Sequence, residues 1–276
     1  MKSEGDEPWL SFPEPLPERG AFFVLGNVVR RETEGGCHMK DEQNLGRIEI
    51  LGVENLISPY IEKSKQNVKR SISDLLNATE IERVAREAFS YNFGNNRSLS
   101  FQHYYRETIE NREKFLSTPD FFRHFKQRYA LQGIDSAYLD KLESEKETIL
   151  HLLDSNDLVN LYYRFFADAL VQRGERVVKK NLGSFFTKLV HTFLPDRYCA
   201  LDNPVKKYFG LGNESFFIAF IVVSKAYREW ASENWVLMQQ IRMEIERNKT
   251  GKLFSIKMTD LKLLDLIFWY QANESR

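Results

Sequence analysis

The chain has 276 residues, with 39 basic and 39 acidic side chains, so its formal net charge is zero. A neutral chain feels no global pull toward nucleic acid or an anionic membrane, although a local patch can still form. Aromatic residues make up 13% of the sequence and phenylalanine alone occurs 21 times, which argues for a packed core and against disorder.

The two cysteines, Cys37 and Cys199, do not form a C-x-x-C pair. That excludes a zinc ribbon or a four-cysteine iron–sulfur site within one chain. Isolated cysteines point to a reducing compartment and against a disulfide. The acidic, proline-rich N-terminus does not read as a signal peptide, and the most apolar run, Phe216–Val223, is too short to cross a bilayer. The expected location is cytoplasmic, with no metal site, no cofactor and no membrane partner.

In chain order, residues 1–20 carry Pro8, Pro13, Pro15 and Pro17 and are expected to be extended. The runs AFFVLGNVV and RIEILGVENL within residues 21–57 suggest a small β-hairpin, with Glu32–Asn44 as its loop. Cys37 and His38 in that loop read as ordinary loop residues. Helical spacing begins at Ser58–Asn77 (Ile61, Val68, Ile72, Leu75, Leu76), with Pro59 suited to a first helical position. Thr79 and Glu82 have capping-box spacing, and a helix is expected through Ala88. Gly94–Ser98 breaks the pattern, which resumes over Ser100–Phe115. Pro119–Leu131 reads as a helix ended by Gly133, Asp135–Leu153 as a charged segment, and Asp157–Arg173 as an aromatic amphipathic one. Beyond the central stretch, helices are expected over Glu214–Trp230, over Asn234–Asn248, and over Asp260–Gln271 with Thr259 as its cap, with a turn at Asn248–Lys252. The fold class is mainly α and multi-helical, organised as residues 1–57, 58–172 and 173–276.

The central stretch, GSFFTKLVHTFLPDRYCALDNPVKKYFGL (Gly183–Leu211), reads as an apolar helix, a turn at Pro195–Asp196, and a second helix opened by Asp202 and Pro204. This arrangement resembles the helix-hairpin-helix DNA glycosylases, whose hairpin L-P-G-V-G-x-K precedes an apolar helix, a short link and an essential Asp at a helix start. Setting Gly183 on the second hairpin glycine brings Asp202 within about one residue of the family's Asp. DNPVKKYFGL is then similar to the family's D-T-H-V helix. The resemblance covers about thirty residues and departs from the family in three ways: Asn181 stands near the first hairpin glycine, the iron–sulfur cysteines of some members are absent, and Phe185 stands where bifunctional members carry a lysine. Lys188 lies one turn further on.

The resemblance implies double-stranded DNA as partner and a monofunctional glycosylase chemistry, hydrolysis of an N-glycosidic bond. Cleaving that bond develops positive charge on the sugar, which a buried Asp202 would stabilise, with Phe185, Phe186 or Tyr198 lining a pocket for the extruded base. Lys188 is the candidate Schiff-base amine if it is desolvated, and otherwise a surface lysine. His191 is either a general acid–base or a buried structural residue. Basic residues gather here: Arg173, Arg176, Lys179, Lys180, Lys188, Arg197, Lys206 and Lys207, against Glu175, Asp196 and Asp202. Lys179, Lys180, Gly183, Arg197, Lys206 and Lys207 are the candidate nucleic-acid contacts. The alternative is a non-enzymatic helical interaction protein in which Asp202 only caps a helix. A third reading, a hydrolase using His103, His124 or Glu107, has no supporting spacing. The glycosylase reading expects Asp202 in a basic cleft; the cap-only reading expects its oxygens filled by backbone amides.

Overall fold

A computed structural model describes residues 42–247 and 258–274, with side chains from Ser58 onward. The expectations for residues 1–20, for the strand AFFVLGNVV, for the Cys37–His38 loop and for the Asn248–Lys252 turn lie outside the described residues. Contacts divide the chain after Asn55, and the site described below lies in the unit from Leu56 onward.

The described residues form twelve α-helices and one two-stranded antiparallel sheet. Helix α1 spans Glu42–Leu75 and includes Pro59 in its interior. RIEILGVENL is therefore helical, and Pro59 does not open a helix. The reason is local: the alternation in this run ends at Ile50-Leu51, and no breaker strong enough to stop a helix stands between Leu51 and Ser58. Val68, Ile72 and Leu76 are fully buried, as their spacing predicts.

Helix α2 is Ile81–Phe93 and α3 is Asn96–Glu110. The expected capping box ahead of α2 does not form. Instead Asn77 accepts hydrogen bonds on Oδ1 from the N–H groups of Thr79 and Glu80, both at 3.1 Å. Asn95 caps α3 by accepting from Ser98 N at 2.9 Å. A 3₁₀ turn, Arg112–Lys114, leads toward α4 (Phe121–Arg128). Then come α5 (Ser136–Ser144), α6 (Lys146–Asp154) and α7 (Leu158–Phe165).

The β-hairpin follows α7: strand β1 (Ala169–Arg173) pairs with β2 (Arg176–Lys180), with Val171 opposite Val178. The expected helical character of Asp157–Arg173 thus stops at Phe165, and the hairpin spans the 172/173 boundary. Gly174 makes the tight turn at φ +61°. Cross-strand partners share a face, so Ala169 and Val171 point inward and are buried, whereas Leu170 and Val177 face out.

After the hairpin come α8 (Gly183–Phe193), α9 (Asn203–Tyr208), α10 (Phe216–Glu233), α11 (Trp235–Arg247) and α12 (Asp260–Glu274). The helix-turn-helix elements of the central stretch lie where its sequence places them. The element leading into Gly183 is a strand, so a helix does not precede the turn as a helix-hairpin-helix would require. Helix α8 is buried on nearly every side, with Phe185, Phe186, Leu189 and Val190 at 1% exposure or less. Helix α12 packs against α2, α9 and α10. None of the described helices is long and apolar enough to cross a membrane.

Candidate functional site

Four local devices place Asp202. Gly183 opens α8 because a Cβ there would lie 2.1 Å from Cγ of Phe216, a clash no side chain tolerates. Asn181 stabilises the entry: its Oδ1 accepts the Gly183 N–H at 2.9 Å and its Nδ2 donates to the Tyr162 hydroxyl at 2.7 Å. Thr187 clamps the link after α8, donating its hydroxyl to the Leu201 carbonyl at 2.6 Å and accepting the Leu201 N–H at 3.1 Å. His191 anchors the same link through the Tyr198 carbonyl at 2.6 Å. The residue after Leu201 thus follows a link fixed at Tyr198 and at Leu201.

A carbonyl only accepts, so Nδ1 of His191 carries the proton. Its Nε2 then accepts from the Tyr105 hydroxyl at 2.6 Å. Burial, reinforced by the charge of Lys262, pushes the imidazole down to about 3, despite the Tyr198 bond. His191 is a neutral structural residue and has no acid–base role at neutral pH.

Asp202 caps α9 with one oxygen only: Oδ1 accepts the Val205 N–H at 3.4 Å. Oδ2 faces elsewhere. It accepts the indole N–H of Trp269 at 3.1 Å and lies 3.9 Å from Nζ of Lys188. Lys188 also donates to Ser184 Oγ at 2.9 Å. Both side chains are 16% exposed, so Lys188 is not the surface lysine that its position in the sequence also allowed.

Desolvation governs this pair. Burial raises the Asp202 carboxyl above its usual range; Lys188 opposes this, Asp265 adds to it, and the bonds from Val205 and Trp269 also oppose it. Burial lowers the Lys188 ammonium, against the attraction of Asp202 and Asp265 and with the repulsion of Lys262. Each group is moved toward its neutral form, which suits an amine that must act as a nucleophile beside a carboxyl that can take or give a proton.

The pair lines an open cleft of about 1620 Å³. Cations in its lining are Arg97, Arg112, Lys114, Arg128, Lys180, Lys188 and Lys262; the acids are Glu107, Asp202 and Asp265. Seven positive groups against three negative ones make this a basic surface on a neutral chain. Aromatic rings share it. Phe101 packs edge-on to Tyr129 with centroids 4.9 Å apart, and Tyr91 lies 5.5 Å from Trp269. Two buried polar atoms in the lining, Gln102 Oε1 and the Tyr104 hydroxyl, have no hydrogen-bond partner.

The candidate contacts separate here. Lys188, Asp202, Gly183's neighbours Leu182 and Ser184, and Lys180 meet at the cleft, although Lys180 also donates to the carbonyls of Gln132 (2.6 Å) and Gly133 (3.1 Å). Lys206 is corrected: it is buried, donates to the carbonyls of Gly212 and Glu214, and sits over the Phe216 ring, so its ammonium serves the fold. Lys179, Arg197 and Lys207 are exposed and lie outside the cleft lining, and Lys179 makes a loose surface pair with Asp168 at 3.7 Å. Phe185 is in the lining; Phe186 and Tyr198 pack elsewhere, Tyr198 on Phe220. His124 and Glu107 also line the cleft, with no triad-like partner.

Sequence reasoning missed Lys262, Asp265 and Trp269. Their signal was present: they fall at i, i+3 and i+7, and the residues between them are all Leu, Ile or Phe. Comparison of the chain with known protein families, with curated proteins and with solved structures finds no match.

Proposed function

We propose that the chain binds double-stranded DNA and cleaves an N-glycosidic bond of an extruded nucleotide, with Asp202 stabilising the positive charge that develops on the sugar. The observation that carries this reading is the desolvated Lys188–Asp202 pair in a basic, aromatic-lined cleft of an otherwise neutral chain. Cations in the lining suit phosphates, the rings suit an unstacked base, and a carboxylate with only one amide partner is left to act on the sugar. The compartment that fits is the cytoplasm, where Cys199 stays a buried free thiol. The cap-only alternative gives no role to the cleft that the Lys188–Asp202 pair lines.

The contact with Lys188 favours a second chemistry at the same site. Its amine adds to the anomeric carbon, the base leaves with the glycosidic electron pair, Asp202 accepts the amine proton and passes it to the ring oxygen, and the sugar ring opens there to leave a lysine imine. Borohydride separates the two: it reduces a lysine imine to a stable protein–DNA adduct and leaves water-dependent hydrolysis untrapped.

The test is binding of the wild type and Asp202→Asn to duplexes carrying an abasic-site analogue, across a salt series, followed by base release and borohydride trapping. Binding that weakens steeply with salt, with base release lost in the variant, supports the reading. A folded protein that fails to bind at low salt overturns it.

A further inference from the structure

Lys262 and Asp265 sit one turn apart on α12, Nζ 3.0 Å from Oδ2, and their side chains are only 4% and 12% exposed. Around them α12 is apolar: Leu261, Leu263, Leu264, Leu266, Ile267 and Phe268 are all buried. An ion pair in such a place is a poor stabilising device, because apolar residues of the same size usually do as well. Yet both charges open onto the same cleft as Lys188 and Asp202.

The connection to that pair is physical. Trp269, on the same stripe of α12, donates its indole N–H to Asp202. The Lys262 ammonium lies over the Tyr105 ring, 4.7 Å from its centroid. Tyr105 in turn stacks on His191, with centroids 5.5 Å apart, and His191 is one turn from Lys188 on α8. The charged groups that act on Lys188 are Asp202 at the start of α9 and Lys262 and Asp265 from α12. His191 on its own helix is neutral, and Tyr105 on α3 and Tyr129 after α4 are phenols that burial keeps protonated.

We propose that Lys262 and Asp265 are positioning residues: their buried ion pair, on the helix whose Trp269 holds Asp202, tunes Lys188 within the shared cleft. This rests on the reading of Lys188–Asp202 as the working pair. Lys262 repels the Lys188 ammonium and favours its free amine, whereas Asp265 holds the proton on. The cleft thus carries two opposed charges, 3.0 Å apart on one helix, lining the same space as one amine, so that its reactivity follows their balance.

The test reads Lys188 directly and needs no DNA. Trace acetylation across a pH series, with peptide mass spectrometry at Lys188, yields the titration of its amine in the intact protein. Lys262→Met is expected to move that titration to higher pH, so that labelling at neutral pH falls severalfold. Asp265→Asn is expected to move it to lower pH, and Lys262→Arg to leave it in place. Opposite signs are the decisive feature, since a merely structural lesion moves both variants the same way. Asp265→Asn preserves size, and if Lys262→Met does not fold, a shift to lower pH in Asp265→Asn with none in Lys262→Arg supports the proposal and any other result overturns it. Unmoved titrations, shifts of one sign, or failure of both variants to fold overturn the proposal. Trapping assays run in parallel keep the two questions apart: the expected shifts without any activity on DNA retain the electrostatic device and remove the glycosylase reading, while activity with unmoved titrations does the reverse.

Discussion

Asp135, ahead of α5, accepts the N–H groups of Tyr138 at 2.9 Å and Gln172 at 2.6 Å, one on each oxygen. Asp202, ahead of α9, accepts one amide at 3.4 Å and turns its other oxygen to Trp269 and Lys188. Both are aspartates at a helix start, and the cap position alone does not separate them. Slight burial raises the Asp135 carboxyl, but its amide bonds outweigh that and hold it below the ordinary range. Deep burial wins at Asp202, and its carboxyl is raised. A carboxylate with both oxygens filled by backbone amides stabilises a fold; one with an oxygen left facing a lysine in a cleft is available for chemistry.

The comparison breaks or sharpens at several points. The largest expected effect is on base release: Asp202→Asn should slow it by about a thousandfold, the scale of losing a preorganised charge at a reacting centre. Asp135→Asn should leave the rate unchanged. Equal rates for wild type and Asp202→Asn on a damaged duplex would erase the distinction.

Thr187→Val comes next. It removes both bonds to Leu201 and leaves a buried N–H and carbonyl without partners, at a cost of about 2 kcal/mol in urea unfolding. Because that clamp also places Asp202, the variant should lose rate as well as stability. Asp135, tied by its own amide bonds, has no such dependence.

At the two caps themselves, Asp135→Ala should cost about 1 kcal/mol, the usual value of a lost cap, whereas Asp202→Asn keeps an equally good capping residue and should cost less. The pH dependence carries opposite signs. Asp135 has a folded pKa below its unfolded value, so its stabilisation is present above the unfolded carboxylate pKa of about 3.9 and is lost as pH falls through the folded value. Asp202 has a raised folded pKa, so its ionisation opposes folding, a cost that grows as pH rises from the unfolded to the folded value. Urea midpoints measured between neutral and acid pH should therefore fall less steeply in Asp135→Asn, and more steeply in Asp202→Asn, than in the wild type.

The smallest effect concerns the cations. Arg97 is exposed in the cleft lining, and Arg97→Ala should lower the salt slope of DNA binding by about one. Lys206→Met should leave that slope alone, because its ammonium is bonded inside the fold. A reduced slope for Lys206→Met would return this lysine to the proposed DNA-binding face.

What the sequence determined by itself is local. Apolar spacing placed Val68 and Ile72 in the core, Thr259 caps α12 through the Lys262 N–H at 3.2 Å as its position predicts, and Pro204 and Asp202 mark the start of α9. These are interactions within a turn or two of chain, where residue type and spacing carry the physics. RIEILGVENL shows the limit of that reasoning, since a few alternating residues fit a strand until the run on into α1 is considered. Tertiary structure decided the rest. Whether Lys188 is a solvated charge or half of a desolvated pair depends on Asp202, fourteen residues on, and on α12, more than seventy residues on. Whether Lys206 meets solvent or the carbonyls of Gly212 and Glu214 depends on how the chain turns after α9. Charge state and availability are set by desolvation and by distant partners, and only the packed molecule brings those to the same place.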